Sequence, residues 1–262
     1  MASDRDRRHA RGPGSLPSVG GVKAIEIHRL HKRYKHVVAV DNLSLTVDQG
    51  EVFGLLGHNG AGKTTTVEIV AGLGKPDRGR VRVLGLDPLR ERAAVRRVLG
   101  VQLQDAALHH ALTVRELVRL YRTLYRDGAD PDELIGAVGL TGAARTRYDR
   151  LSGGQQQRLS IALALVGRPR VALLDELTTG LDPRARRDIW ALVENLRADG
   201  VAVLLVSHQM EEVERLCDRV VLLDRGRVIA AGTPADLVTE AGAVTLDDAF
   251  LALTGRPHQE LS

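Results

Sequence analysis

Hydrophobic positions change period several times along the chain, and each change marks an element. Alternation begins at Ala24-Ile25-Glu26-Ile27 and returns at Leu43-Ser44-Leu45-Thr46-Val47, which predicts two half-buried strands. The continuous apolar run Val52-Phe53-Gly54-Leu55-Leu56 reads as a fully buried strand, and Thr65 to Val70 behind it reads as a helix. A turn-rich stretch from Gly72 to Gly79 precedes a strand over Arg80 to Leu84. A helix is expected from Pro88, because proline suits the first helical position, and it leads to the segment Val98 to Gln104. Residues from about 108 to 168 then read almost wholly as helix.

Strand patterns resume at Val171 to Glu176 and Val201 to Val206, with helices from Pro183 and over Glu211 to Cys217. Two last strands, Arg219 to Leu223 and Arg227 to Ala231, meet at Asp224-Arg225-Gly226. A helix from Pro234 and a short apolar tail complete the pattern. Strands alternating with helices define an α/β fold with a mixed, mainly parallel sheet. The early short strands predict an N-terminal antiparallel β subdomain, and the run of helices predicts an inserted α-helical subdomain at about 105–168. The expected organisation is a tail over 1–21, one α/β domain over 22–240 and a short tail over 241–262.

Composition narrows this picture in three ways. With 262 residues and 44% hydrophobic content, the chain can bury a sizeable core, but only 3% aromatic residues leave that core to Leu, Val, Ala and Ile. The net charge of +4 is carried mostly by arginine, with Arg5, Arg7, Arg8 and Arg11 in the first segment. That segment, MASDRDRRHARGPGSLPSVGG, has little to bury and reads as a disordered basic tail. The rest of the charge is too diffuse to specify a nucleic acid. Cys217 is the single cysteine, so no disulfide forms within the chain, which suits a reducing cytosol. No apolar run reaches the ~18 residues of a spanning helix, so the chain is expected not to cross a membrane by itself.

The candidate chemistry starts at GHNGAGKT, Gly57-His58-Asn59-Gly60-Ala61-Gly62-Lys63-Thr64, between a buried strand and a helix. This is the phosphate-binding loop of a nucleoside triphosphatase. Its glycines let backbone N–H groups wrap an anion, and the following helix, opening at Thr65, adds partial positive charge. Lys63 supplies a cation for the β- and γ-phosphates, and the Thr64 hydroxyl is placed to ligate Mg²⁺. The apolar strand Val171-Ala172-Leu173-Leu174 ends in Asp175, the acid such a loop needs for its metal. Alternation along the strand sends Glu176 elsewhere, where it can orient the attacking water. Leu151-Ser152-Gly153-Gly154-Gln155 opens a further helix and presents uncovered N–H groups, but with no lysine and no acidic strand of its own. Such a half-site implies that its phosphate arrives on another molecule.

These residues together resemble the ATP-binding cassette superfamily, from about Ile25 to Ala231. GHNGAGKT is similar to its phosphate loop, LSGGQ to its signature and VALLDE to its acidic strand. Gln104 matches the loop glutamine, Gly180-Leu181-Asp182 the aspartate loop and His208 the switch histidine, while Tyr34 lies where the family stacks an aromatic ring on adenine. The resemblance implies that two cassettes pair head to tail around two ATP molecules. Ser152, Gly154 and Gln155 would then touch the γ-phosphate in trans. Glu176 would be the catalytic base, His208 would hold the γ-phosphate, and Gln104 would link Mg²⁺ and water to the helical lobe. One position departs from the family: Leu177 stands where proline is usual. Leucine keeps an N–H and a freer φ, so the loop is less fixed by that residue, while no catalytic group is lost.

A lone cassette of this superfamily most often serves as the ATPase of a separate membrane permease. The C-terminal stretch AAGTPADLVTE…TLDDAFLALTGR, with GVQLQ upstream, is most similar to bacterial multidrug and antibiotic exporters of the daunorubicin-resistance type. The expectation is an ATP-bound homodimer, cytoplasmic and peripheral on the inner face of the cell membrane, driving export through integral membrane permease subunits. The alternative is a soluble cassette for iron–sulfur cluster assembly. A DNA-repair cassette would carry a long heptad insertion, a ribosome factor two cassettes, and a phosphotransferase would need no LSGGQ.

Overall fold

The computed structural model describes residues 22–102 and 108–255. In chain order, β1 (Lys23–Tyr34) and β2 (Val37–Asp48) form a long hairpin, and β3 (Val52–Gly57) runs through the glycine-rich loop into α1 (Lys63–Val70). Next come β4 (Arg78–Val83), α2 (Arg92–Val98), β5 (Leu99–Gln102), α3 (Val114–Arg122), α4 (Pro131–Ala137) and α5 (Gly153–Leu165). The chain continues with β6 (Val171–Asp175), α6 (Pro183–Ala198), β7 (Ala202–Val206), α7 (Met210–Leu216), β8 (Arg219–Asp224), β9 (Arg227–Gly232), α8 (Pro234–Ala241) and α9 (Leu246–Thr254).

The strands form two sheets. β2-β1-β4 is antiparallel throughout, and β5-β6-β7-β3-β8-β9 is parallel except for its last pair. The central strands β3, β6 and β7 are buried at every residue, which is why they are continuous apolar runs without alternation. Their register fixes the site. Val206 is level with Leu55 on one side and with Asp175 on the other, so β6 and β7 end together and β3 runs two residues further into the loop.

The core divides along the larger sheet. Phe53, Leu55 and Leu173 pack under the antiparallel sheet with Ile25, Leu30 and Val47. Leu56, Leu174 and Leu205 face the other way, into a cluster that continues through Leu117, Ile135 and Leu159 of the helical lobe. That lobe is defined by its caps. Thr113 and Glu116 form a reciprocal capping box on α3, and Asp130 caps α4 with Pro131 at the first helical position.

Three expectations need adjustment. The helix expected from Pro88 begins at Arg92 instead. The Asp87 carboxylate accepts from the N–H groups of Leu89 and Arg90, and Glu91 accepts from that of Asp87, so side chains close a turn around the proline. The apolar stretch after residue 245 is not a tail but α9, capped by Thr245, with Leu246, Ala249, Phe250 and Leu251 buried. Residues 108–168 are broken into three helices and two short 3₁₀ turns, Thr141–Ala143 and Tyr148–Arg150. The basic tail over 1–21 and Gln104 both lie outside the described residues. Among the described residues, no helix is long and apolar enough to cross a membrane.

Candidate active site

Gly57, at the end of β3, and Gly62, at the start of α1, carry the bend of the phosphate loop with φ of 149° and 105°. A Cβ on Gly62 would sit 2.3 Å from the Ala39 carbonyl oxygen, and one on Gly57 would sit 2.5 Å from that of Leu223. Both positions therefore exclude any side chain, and β2 and β8 press directly on the loop. His58 Nε2 lies 2.6 Å from the Asp224 carboxylate, and Gly226 N–H donates to Ala61 O at 2.9 Å. The loop is thus braced by the β8–β9 turn.

Within this bend, Asn59 and Gly60 are exposed and Ala61 is buried. Lys63 Nζ donates to the carbonyl oxygens of Gly57 (2.6 Å) and His58 (3.0 Å). Burial lowers the Lys63 pKa, while Asp175 and Glu176 oppose that shift. Thr64 is exposed, Thr65 half-buried, and Thr66 turns inward to donate to Gly62 O at 2.8 Å. Thr64 is thus the most exposed of the three threonines that open α1.

Asp175 and Glu176 meet this loop from β6, two strands away in the sheet. Asp175 is 5% exposed, and desolvation, then the neighbouring Glu176 charge, push its pKa up to about 6. Its backbone N–H donates to Gln102 Oε1 at 2.9 Å. Glu176 adopts a left-handed backbone, φ 51°. His208 follows β7, and its Nδ1 lies 3.3 Å from Glu176 Oε1. Lys63, Asp175, Glu176 and His208 thus bring ionisable side chains together from the ends of three strands.

The residues present fit a divalent cation bound with phosphates. Asp175 is an acid whose ionised form is penalised by burial and by a second acid beside it, and a hard cation would offset that penalty. Thr64 and Asp175 would supply oxygen donors, and triphosphate oxygens would complete the shell. Among the described residues, no group of three or more His, Cys, Asp or Glu side chains is placed to hold a metal ion.

The other predicted residues stand on other elements of the fold. Tyr34 ends β1 in the hairpin beside the loop, 47% exposed, with Lys32 Nζ 5.0 Å from its ring centre. Ser152 and Gln155 are joined in a capping box. The Ser152 hydroxyl oxygen accepts from Gln155 N–H (3.3 Å), and Gln155 Oε1 accepts from Ser152 N–H (3.0 Å). Gly154 lies beside Leu181 of the aspartate loop. Asp182 is occupied in capping α6, accepting from the N–H groups of Arg184 and Ala185.

Several supporting residues were not legible as motifs. Gln102 ends β5 fully buried, two positions before the loop glutamine. Glu212, also fully buried, accepts from the Thr178 hydroxyl (3.0 Å) and from Trp190 Nε1 (3.3 Å), and burial raises its pKa. Thr178 reaches Gln209 Oε1 as well, so one buried cluster ties the segment after Glu176 to the segment after His208. The available signal was periodicity, since Glu212 lies on the apolar face of α7 with Met210, Val213 and Leu216. Leu177 is fully buried, so its side chain anchors the segment that a proline would otherwise stiffen.

A phosphate loop after a buried strand, with an acid pair and a histidine on the neighbouring strand ends, defines a P-loop nucleoside triphosphatase. The family model for ABC transporters matches residues 40–179, and the chain belongs to that family of ATP-hydrolysing cassettes. It is 42% identical over 229 residues to the daunorubicin resistance ATP-binding protein DrrA3 of Streptomyces coeruleorubidus, covering 86% of this chain and 72% of that one. It is 40% identical over 254 residues to the Nod factor export ATP-binding protein I of Rhizobium johnstonii, covering 95% and 79%. Among solved structures, the ATP-binding subunit of an ABC transporter superposes with a TM-score of 0.81 at 29% identity, covering 88% of this chain and 99% of that one. A dimeric post-hydrolysis cassette bound to ADP and Pi superposes at 0.74 with 28% identity, covering 80% and 98%.

Proposed function

We propose that the chain works as a homodimer on the inner face of the cell membrane, where ATP hydrolysis drives export through separate membrane-spanning subunits. The exported compounds would be drugs, antibiotics or other lipophilic molecules. The observation that carries this reading is the likeness to drug-resistance and export ATP-binding proteins along most of the chain. The helical lobe also leaves apolar side chains uncovered. On and just after α3, Leu120 and Leu124 are 48% and 72% exposed, which suits a surface that meets a membrane subunit.

In the proposed cycle, ATP lies on the phosphate loop with its adenine against Tyr34. Loop N–H groups and Lys63 hold the phosphates, and Thr64 and Asp175 would hold Mg²⁺, which would spread the charge of the transferring group. Glu176 takes a proton from water as the water oxygen bonds to the γ-phosphorus. The bond from that phosphorus to the β–γ bridging oxygen breaks, and ADP leaves with that oxygen. His208 holds the γ-phosphoryl group while it orients Glu176. Ser152, Gly154 and Gln155 of the second chain close the pocket with N–H and hydroxyl donors.

The test has two arms. Glu176→Gln with ATP should elute as a dimer on gel filtration and without ATP as a monomer. The wild-type chain should co-purify from detergent-solubilised membranes with a multi-span protein. A monomer in ATP overturns the pairing, and recovery with soluble cluster-assembly proteins alone overturns the export reading.

A further inference from the structure

Glu176 is a non-glycine residue in the left-handed region, a conformation that persists only where neighbours over-determine it. Two main-chain contacts hold it. Its N–H donates to Val206 O at 2.9 Å, and its own carbonyl oxygen accepts from Gln157 Nε2 at 2.9 Å. The first is a strand-end contact between β6 and β7. The second comes from α5, the helix that opens with Ser152 and Gly154.

Gln157 lies five positions beyond Ser152, inside a 13-residue helix packed on the core through Leu159, Ile161 and Ala162. A helix of that length moves as a rod, so a shift at its N-terminus reaches the Gln157 amide. The next residue, Leu177, lacks the fixed φ of a proline, which leaves more of the restraint on Glu176 to its hydrogen bonds.

We propose that Gln157 is the positioning residue for Glu176, and that it ties the signature helix to the catalytic carboxylate of the same chain. In the paired arrangement, the N-terminus of α5 closes over the partner's ATP while Glu176 acts on the chain's own. Gln157 then links the two pockets of a dimer through one hydrogen bond. The link between pockets rests on the paired-site reading above; the positioning of Glu176 does not.

The experiment uses the full chain with Gln157→Met, which keeps length but removes the donor, and Gln157→Glu, whose ionised carboxylate has no hydrogen to give. A small misplacement of the base slows chemistry without touching binding, so kcat should fall roughly tenfold or more in both variants. Affinity for a non-hydrolysable ATP analogue and the thermal midpoint should stay at wild-type values. The wild type should hydrolyse ATP with a Hill coefficient above unity that the variants lose. Wild-type kcat in both variants overturns the proposal. So does a fall in kcat matched by lost analogue affinity or by a lower thermal midpoint, since Gln157 would then be merely structural. Should Gln157→Met fail to fold, Gln157→Glu decides alone. An unchanged Hill coefficient with lowered kcat overturns the link and leaves the positioning role. Dimerisation of Glu176→Gln in ATP reports separately on the pairing.

Discussion

His208 Nδ1 lies 3.3 Å from Glu176 Oε1, joining the ends of two neighbouring parallel strands. Register brings the two segments together: Val206 pairs with Asp175, so Glu176 and His208 follow from adjacent strand ends. It also means that the two side chains act as a unit. Glu176→Gln and His208→Ala should each lower kcat by about 10²-fold or more while ATP affinity changes little. Their effects should be far from additive in the double variant, because losing either disables the pair. Steady-state hydrolysis set beside equilibrium nucleotide binding measures both.

Asp175 gives a pH dependence with a definite sign. Its folded-state pKa of about 6 lies above the ordinary 3.8, so between these values the native chain binds more protons than the unfolded chain. Without nucleotide and metal, this group's contribution should make stability fall as pH rises from about 4 through about 6. Asp175→Asn should remove that fall and leave the variant with the higher thermal midpoint at pH 7, by several degrees, but not at pH 4. Thermal denaturation across that range in a chelator checks it.

Far from this chemistry, Arg219 and Glu51 form a bidentate ion pair at 2.6 and 2.9 Å, with side chains 11% and 8% exposed. The Arg219 guanidinium also lies 5.3 Å from the Phe53 ring centre. Breaking such a pair strands a buried charge, so Arg219→Met should cost about 3–5 kcal/mol of stability. The protein that remains folded should hydrolyse ATP at the wild-type rate. Denaturant unfolding and specific activity of the folded fraction separate the two effects.

Local patterns made most of this legible. GHNGAGKT and VALLDE carry their chemistry in consecutive residues, and the strands carrying them are the continuous apolar runs that suit a sheet covered on both faces. The antiparallel hairpin was signalled by alternation at Ala24 to Ile27 and at Leu43 to Val47. What stayed hidden depends on long-range contact. Gln157 reaches Glu176 across 19 positions, and Glu212 reaches Thr178 across 34, distances at which no periodicity speaks. The turn at Pro88 failed differently. Proline suits a helix start, but Asp87 ahead of it satisfied the next N–H groups by itself. The last helix, α9, was hidden by its brevity, and its identity rests on burial of Phe250 against the core cluster.

The central claim is that each ATP pocket is built from two chains, and complementation tests it most directly. Lys63→Ala disables the phosphate loop and Ser152→Arg disables the signature, so each variant alone should be inactive. In a mixed dimer one pocket carries both defects and the other carries none. Mixing the two variants in equal amounts should therefore restore hydrolysis to roughly a quarter of the wild-type rate, since half the dimers are mixed and each has one good pocket. A mixture no more active than its separate components, with mixed dimers shown to form, would contradict the account.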